Sequence, residues 1–512
     1  MGFISNDRNQ IDFLGYSLSD FVPANSKCRY VVKLISELDL SSLYQRYSDQ
    51  GNDAFEPAMM LAVWFLAYSE LVTSTRKIED LCKRDLHFIY TSANLKPDHT
   101  SFSRFRKNNL DLIPNYFVQI LGLAKQKGLS DFKEIALDGT RVQAACSQRH
   151  SKSAEELDRN LSRIHQQIQE YMKRCDLTDQ DEEEPQTLVE LQKKIKHLKK
   201  LKKTILQRQQ QLHQRKKKIK AEHRDKHKIN LVEPDALMMN HVNGHQKLPG
   251  YNAQVSVDTK TQFIVAHDVV QDRNDLDQFS RQHRQVENNL GCNEARTFIA
   301  DAGFNSLEQL AYIEDHKINA FIPHPQPENI SPDHQPNTST QFYRDHKKFQ
   351  RSDFIYNRDN DYYECPAGEK LLGVRKFRTG KWQGKIYQAT RCSKCPWQQN
   401  CLSQKNKSGL RVIRRDDREV FAEKMHAKMQ TAQAKQKVKL RSSTVETVIG
   451  NLKQNLGFRR FHLRGVKQVQ GEFALMCIAH NINKLYSLLF FFFLLSHFMS
   501  KNRMKIFRLC IY

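Results

Sequence analysis

Apolar residues at regular intervals in residues 151–235 constrain the fold of this chain more than any other feature. They recur every four and three residues over 157–171, and every seven residues over 191–219. An acidic break that contains a proline, residues 176–185, separates the two runs. This spacing predicts an antiparallel helical hairpin with a coiled-coil seam. The strand-like segments on either side must then belong to one sheet that the hairpin interrupts.

The second half of this hairpin is strongly basic. Residues 191–228 contain sixteen Lys or Arg against two Asp or Glu, which is more than half of the chain's net charge of +24. One interpretation is a helix face that is merely solvated. The concentration of charge favours the other, contact with the phosphate backbone of nucleic acid, which gives affinity without sequence specificity.

Composition excludes several classes of protein. The 512 residues are 39% hydrophobic and 27% charged, unlike a membrane bundle or a disordered chain. The longest uncharged apolar run, residues 485–500, is shorter than the roughly 20 residues that span a bilayer. Residues 1–13 lack a signal-peptide core. We therefore expect a cytoplasmic protein with mostly reduced cysteines and no membrane partner. No glycine-rich phosphate loop follows a strand, so we expect no nucleotide cofactor.

Residues 20–125 have the pattern of an all-helical domain. An apolar segment, residues 59–68, follows Pro57 at a predicted helix start. Further on, a helix after Asp98 carries Arg104 and Arg106 beside two phenylalanines. A small helical domain with a basic helix suits DNA binding. The alternative, a solvated amphipathic helix, explains the local pattern equally well.

From residue 133 the pattern changes to that of a mixed α/β sheet. Short apolar strands are predicted to end at Asp138 and Asp301, with two more strands at 251–258 and 262–270. Helices are predicted between and after them, including one at 274–290. Two carboxylates therefore stand at the ends of neighbouring strands, although strand ends also carry Asp simply to form turns.

A third acid completes a candidate metal site. Glu446 is the only acid on a predicted helix over residues 438–457, with Lys453 two turns further on and Arg464 downstream. Three carboxylates without a cation repel one another unless divalent metal is bound. Such a site suits two Mg²⁺ ions that act in phosphoryl transfer. The alternative is an ordinary helix with salt bridges on its surface.

Four cysteines lie in a polar insertion, residues 324–430. Cys392 and Cys395 are separated by two residues, while Cys365 and Cys401 lie before and after them. This grouping suits tetrahedral ligation of a structural Zn²⁺, which would stabilise a segment with few large apolar clusters. The alternative is four unrelated reduced cysteines.

Four segments in order resemble bacterial DDE transposases of the IS1182 family, within the IS4/IS5-like group. Residues 441–465 (RSSTVETVIGNLKQNLGFRRFHLRG) resemble the C-terminal signature of the family. The N-terminal block that ends in PDHTSFSRFR, the block EPDALMMNHVNGHQKLPGYNAQVSVD and the block FIADAGFNSLEQL resemble three further family segments. The resemblance runs from about residue 21 to residue 485.

The resemblance implies a domain plan. It consists of a DNA-binding helical domain at 20–125 and an RNase H-like catalytic domain at 130–486. The basic hairpin at 151–235 and the cysteine-rich segment at 324–430 are insertions in that domain. The tail, residues 487–512, is not assigned.

The resemblance also implies a mechanism. Asp138, Asp301 and Glu446 would bind Mg²⁺ or Mn²⁺ and catalyse cleavage and transfer of DNA strands. The partners would be the terminal inverted repeats of an insertion sequence and target DNA, bound by a homodimer in the cytoplasm near the nucleoid. The predicted DNA contacts are Lys453, Arg441, Arg464, Arg104 and Arg106. The related group often has a tyrosine and an arginine before the glutamate at fixed spacing. Here the position four before Glu446 is Ser442, Arg441 lies one residue further back and is assigned the arginine's place, and no tyrosine is in register.

Two other functions remain open from the sequence. One is a metal-dependent nuclease on the same fold, which would cut DNA without joining strands. The other is a repurposed DNA-binding protein, which loss of a core carboxylate would mark; all three carboxylates are present.

Overall fold

The computed structural model describes most of the chain. The residues outside the description are 1, 5–6, 12–14, 48–52, 179–184, 218–226, 241–246, 293, 325–348, 381, 403–405, 407 and 510–512.

The described residues of the N-terminal region form eight helices. They are α1 Leu18–Phe21, α2 Lys27–Ser36, α3 Ser41–Tyr44, α4 Pro57–Ser69, α5 Thr75–Arg84, α6 Leu86–Thr91, α7 His99–Asn109 and α8 Ile113–Gln126. As predicted, α4 begins at Pro57, where the Glu56 carboxylate accepts a hydrogen bond from the Met59 N–H at 2.7 Å. All of α4 except Ala58 is buried, so this helix is the centre of the helical region.

A mixed six-stranded sheet follows. Its strands are β1 Glu134–Gln143, β4 Leu237–Asn240, β5 Lys247–Asp258, β6 Ile264–Val270, β7 Thr297–Ile299 and β8 Asn319–Phe321. The order β4-β5-β1-β7-β8 has β6 paired to β5; β1, β7 and β8 are parallel, and β5 is antiparallel to β1. Helices α11 Phe279–Leu290 and α12 Leu307–Asp315 complete this layer. The mixed α/β sheet that the sequence predicts is therefore present.

Two predicted boundaries in the sheet are wrong. Strand β1 does not end at Asp138 but continues to Gln143, because its antiparallel pairing with β5 extends to Gln143 opposite Gly250. The helix predicted from residue 274 begins at Phe279, and the preceding residues form a loop. Asp138 thus lies in the middle of a strand, whereas Asp301 lies two residues beyond the end of β7.

Residues 151–235 form a helical hairpin. Helix α9 (Ala154–Thr178) packs on α10 (Pro185–Lys217), and the short strands β2 (Ser151–Lys152) and β3 (Ile229–Asn230) pair at its base. The apolar seam that the spacing predicts is buried. Its members include Leu157, Ile164, Ile168, Ile205 and Leu212.

The cysteine-rich region contains a second sheet that the sequence pattern did not predict. Its five antiparallel strands, in the order β13-β12-β11-β10-β9, are β9 Ile355–Asn357, β10 Tyr362–Glu364, β11 Lys370–Thr379, β12 Trp382–Ala389 and β13 Val412–Asp416. The short helix α13 (Gln398–Cys401) lies between β12 and β13, and α14 (Glu419–Met429) follows the sheet. Strand β11 is mostly exposed on both faces, so it lacks the alternation by which strands are recognised.

The remaining helices return the chain to the first sheet. They are α15 Ala432–Arg441, α16 Thr447–Gly450 and α17 Val466–Leu509, with π-helical segments at Ser442–Glu446 and Asn451–Asn455. Helix α17 packs against α4, α8 and β6. Its first part, Val466–Phe490, has the length and hydropathy of a membrane span, but 61% of that apolar window is buried inside the protein. A buried core helix can have the same length and hydropathy.

Candidate active site

Two aspartates meet at one edge of the mixed sheet. Strands β1 and β7 are parallel neighbours in which Ala136 pairs with Ile299. Asp138 and Asp301 each lie two residues further along the chain, so both emerge at the same end of the strand pair. The Gly139 N–H donates to Asp138 Oδ1 at 2.8 Å, and the Gly303 N–H donates to Asp301 Oδ1 at 2.9 Å.

Arg441 links these aspartates to Glu446. Its Nη2 lies 3.0 Å from Asp138 Oδ1 and 3.8 Å from Asp301 Oδ2, while its Nη1 lies 3.6 Å from Glu446 Oε1. Its Nε donates to the Leu137 carbonyl at 3.1 Å, and its side chain is only 8% exposed. The structure therefore brings the three predicted acids around a single guanidinium.

A π-helical segment explains why Arg441 can face Glu446. The two residues are five apart, and in a regular α-helix side chains three or four apart share a face. The segment Ser442–Glu446 is π-helical, with hydrogen bonds between residues five apart, so its turn is wider than an α-helical turn and a residue five positions on comes back near the same face. In a regular α-helix the residue one turn before Glu446 would be Ser442, four positions earlier. Here Arg441, five positions earlier, faces Glu446 instead.

Burial shifts the proton affinity of the two aspartates. The pKa of Asp138 is raised to about 6, mainly by desolvation; the Arg441 charge lowers it and the neighbouring Asp301 charge raises it. Burial also raises the pKa of Asp301, again against the influence of Arg441. Both groups therefore hold protons more tightly than an exposed carboxylate.

A fourth carboxylate, which sequence analysis missed, lies beside the aspartates. Asp275 is on the loop between β6 and α11, and its charge raises the pKa of both Asp138 and Asp301. Asn252 Nδ2 donates to Asp275 Oδ1 at 2.7 Å, and the Gln254 amide donates to the same oxygen. A Cβ at Gly139 would lie 2.3 Å from that oxygen, so the close approach needs glycine there. The glycine directly after Asp138 is the one feature of the sequence that indicates this close approach.

Cations extend from the acid cluster along the end of β1. Lys453 is half-buried, and burial together with Arg141 and Arg459 lowers its pKa although Asp138 raises it. The backbone after the π segments runs along the end of β1, where Arg460 pairs with Gln143. Arg464, which is exposed, donates from Nε to the Ala145 carbonyl at 3.1 Å. We name this set, Arg141, Lys453, Arg459, Arg460 and Arg464, the basic rim.

The two arginines predicted on α7 have different surroundings. Arg104 is exposed. The Arg106 guanidinium lies 4.8 Å from the Trp64 ring centroid and donates to the Tyr68 hydroxyl at 3.2 Å. Arg106 thus packs on aromatic residues of α4, and of the two only Arg104 points freely to solvent.

The four cysteines of the insertion lie near one another in the small core of the second sheet. Cys392 is buried there, with Cys365 and Cys401 packed against it. The Glu369 N–H donates to Cys365 Sγ at 3.3 Å. The pKa of the Cys401 thiol is raised to about 11, mainly by burial, with Arg411 lowering it and the other three thiols raising it. Burial also raises the pKa of Cys365, so these two thiols hold their protons more tightly than exposed thiols do.

At neither predicted metal site do the described side chains surround a space the size of a metal ion. Among the described residues, no three His, Cys, Asp or Glu side chains converge closely enough to hold an ion. At the acid cluster the centre is taken by the Arg441 guanidinium. The donor set still fits a hard divalent cation, because carboxylate oxygens are its preferred ligands. The Asp301 and Glu446 side chains are 41% and 59% exposed, which leaves them room to turn.

Comparison with known families gives two matches. A family model described as a transposase DDE domain matches residues 364–486. A second, described as a transposase domain (DUF772), matches residues 16–108. The first covers the segment with Arg441, Glu446 and Lys453; the second covers most of the N-terminal helices. No curated protein and no solved structure shows significant similarity to this chain.

Proposed function

We propose that this chain is a DNA transposase of the DDE type, which both family matches indicate, and that Asp138, Asp301 and Glu446 are its three metal-binding carboxylates, on an RNase H-like core. The reaction is cleavage of DNA at the ends of an insertion sequence and transfer of the freed strand to target DNA. The IS1182 family is the family that we assign. The bound ions would be Mg²⁺ or Mn²⁺; they activate the attacking oxygen and stabilise the leaving oxygen.

The observation that carries this proposal is the position of three acids from distant parts of the chain around Arg441. One acid is on β1, one follows β7 and one is on the π-helical segment. A structural ion pair needs one carboxylate for one arginine. Three carboxylates for one buried guanidinium leave a surplus of negative charge, which a multivalent cation neutralises.

In this mechanism Arg441 organises the site before catalysis. Its guanidinium holds the three carboxylates near one point, and its Nε fixes it to the Leu137 carbonyl. The carboxylates would hold the ions, and the Arg441 guanidinium is the group in the site that can pair with a phosphate of the DNA strand. Lys453 and the basic rim hold the DNA backbone next to the scissile bond. No side-chain nucleophile is required.

The other parts of the proposal concern the partners. The DNA-contacting elements are α7 through Arg104 and the basic helix α10, with a homodimer as the active assembly in the cytoplasm near the nucleoid. Arg106, which packs on α4, supports α7 rather than reaching far into solvent. We retain structural Zn²⁺ at Cys365, Cys392, Cys395 and Cys401; it requires the thiols to lose their protons and close around the ion.

The test is a strand-cleavage and joining assay. Purified protein is incubated with Mg²⁺ and duplex DNA that carries the ends of its own element. We expect nicked and joined strands that disappear with EDTA, and no DNA covalently bound to denatured protein.

Asp301→Asn and Glu446→Gln should abolish cleavage and keep DNA binding. Asp277→Asn, an exposed acid on the loop before α11, is the matched control and should cleave normally. Cleavage in EDTA would contradict the mechanism.

A further inference from the structure

A basic two-stranded ribbon in the second sheet has no role in the proposal above. It consists of β11 and β12, which are paired from Leu371 opposite Ala389 to Thr379 opposite Trp382. Residues 370–385 contain six Lys or Arg and no Asp or Glu.

The distal half of the ribbon extends beyond the strands that flank it. Strand β10 covers β11 only as far as Leu372, and β13 covers β12 only from Gly384 onward. Every described residue of β11 from Gly373 to Thr379 is exposed except Phe377, which is half-buried. A β-bulge between Gly373 and Arg375 separates the covered part from the free part.

Three cations on this free part have no acidic partner among the described residues: Arg375, Lys376 and Arg378. The nearby Lys385 is paired with Asp361. Lys376 and Arg378 are two residues apart on one strand, so they share one face of the ribbon, and Lys385 and Gln383 lie opposite them on the same face. This face lines one side of a concavity of about 880 Å³, and Asp361, Asp416 and Asp417 are among the residues that line the rest of it.

The ribbon also exposes large apolar side chains next to these cations. Val374 is 54% exposed, and Trp382 at the tip is 49% exposed with the Arg418 guanidinium 5.3 Å from its ring centroid. Cations on an edge strand also prevent strands from pairing between molecules. Preventing strand pairing does not require an exposed tryptophan beside the cations. Tryptophan is, however, enriched at surfaces where proteins bind a partner.

We propose that the β11–β12 ribbon is a DNA-binding surface, in which Lys376 and Arg378 contact backbone phosphates and Trp382 packs against the DNA. This deepens the proposed transposase function and rests on it. A two-stranded ribbon has the dimensions of the major groove. A second copy of the chain is disfavoured as the occupant, because a chain of net charge +24 presents no general attraction to a basic patch.

The experiment measures binding of the full chain to a duplex of arbitrary sequence, about 40 base pairs long, over a range of salt concentrations. The variant Lys376→Glu/Arg378→Glu is compared with Lys260→Glu/Lys317→Glu, which makes the same change in charge at exposed sites elsewhere. We expect the ribbon variant to bind at least about tenfold more weakly, with a salt slope smaller by about 1.8, which is the loss of two phosphate contacts. The control should change binding by less than about twofold.

A second pair of variants tests the tip. Trp382→Ala should weaken binding while Trp382→Phe retains most of it, and both should keep the thermal stability of the parent.

Unchanged affinity and salt slope in the ribbon variant overturn the proposal, and so does a change in oligomeric state without a change in DNA affinity. If the ribbon variant binds normally while Asp301→Asn still abolishes cleavage, the ribbon assignment fails and the transposase mechanism stands. If the parent protein neither binds nor cleaves DNA, both fail.

Discussion

At the scale of single residues, Arg441 is the centre of the site. One guanidinium that is almost fully buried faces three carboxylates, so the chain carries its own counter-cation where the mechanism requires a metal. The sequence predicted all three acids through the resemblance to DDE transposases, since the local pattern alone also fitted turns and a surface helix, and the strand end expected at Asp138 lies within β1. It could not identify the contact between Arg441 and the acids, since that contact depends on a local change of helix type.

Removing the guanidinium should make the protein depend on metal for its stability. We expect Arg441→Ala to destabilise the metal-free protein by about 2–4 kcal/mol, because buried carboxylates lose their partner. Mg²⁺ should then raise the melting temperature of the variant more than that of the parent. The control is Arg459→Ala at an exposed position, which should change neither quantity much. Equal metal-induced shifts in Arg441→Ala and the parent would contradict this role.

The raised pKa of Asp138 predicts a specific pH dependence. Asp138 titrates at about 6 in the fold and at its ordinary value of 3.8 when unfolded. The folded protein therefore binds the extra proton, and this contribution to stability, complete below pH 3.8, is lost as pH rises through 6. Melting temperatures of the metal-free parent should fall over this range relative to those of Asp138→Asn. Mn²⁺ affinity should weaken below pH 6; a flat profile from pH 5 to 7 would contradict it.

Gly139 is predicted to be intolerant of any side chain. Its Cβ would lie 2.3 Å from both the Asp275 carboxylate and the Gln254 amide. We expect Gly139→Ala to cost about 1–3 kcal/mol in the free energy of unfolding, by displacing Asp275 from the aspartates. The matched control is Gly122→Ala in α8, where nothing lies within 4 Å and alanine should be neutral or stabilising. Equal stability of the two variants would refute the close contact.

At the scale of elements, the π-helical segment sets the register of the site. The sequence pattern gives a helix here and a glutamate on it, but periodicity of 3.6 residues cannot reveal an extra residue in one turn. The five-stranded sheet was missed for a related reason. Strand β11 is exposed on both faces, and exposed strands leave no alternation of apolar and polar residues. Asp275 was missed because it stands in a loop without a motif.

Length changes in the π segment test its role. Deleting the exposed Ser443 should convert the segment to an α-helical turn in which Arg441 and Glu446 are four apart and still share a face. Inserting one alanine after Ser443 should instead rotate Glu446 by about 100° away from Arg441. We expect the deletion to retain measurable DNA cleavage and the insertion to abolish it. The reverse result would show that the extra residue itself is needed.

At the scale of the whole molecule, basic surfaces lie far apart in the sequence. They are the hairpin helix α10, the β11–β12 ribbon and the basic rim. The sequence predicts the first from charge alone, because a run of lysines is visible without knowledge of the fold. The other two depend on which cations the fold leaves without a partner, and only the three-dimensional arrangement settles that.

Charge reversal on α10 tests the largest of these surfaces. Lys193 and Lys196 are exposed. We expect Lys193→Glu/Lys196→Glu to weaken binding to many DNA sequences alike and to lower the salt slope by up to about 1.8. Lys260→Glu/Lys317→Glu again provides the control of equal charge. If the DNA affinity and its salt slope are unchanged, α10 does not contact DNA. Sedimentation of the free protein then distinguishes a solvated helix from one that contacts a second subunit.

The packing of α17 has a consequence for the order in which the chain is made. This helix is synthesised after the N-terminal helices, yet it packs on α4 and α8, and Asn483 donates to the Ser69 carbonyl at the end of α4. Until residues 466–485 have left the ribosome, the N-terminal helices lack a neighbour for an almost wholly apolar α4. Nascent or truncated chains would therefore expose that helix and aggregate or be degraded. Only completed chains would accumulate, so fragments of the N-terminal region should not persist as competitors for DNA.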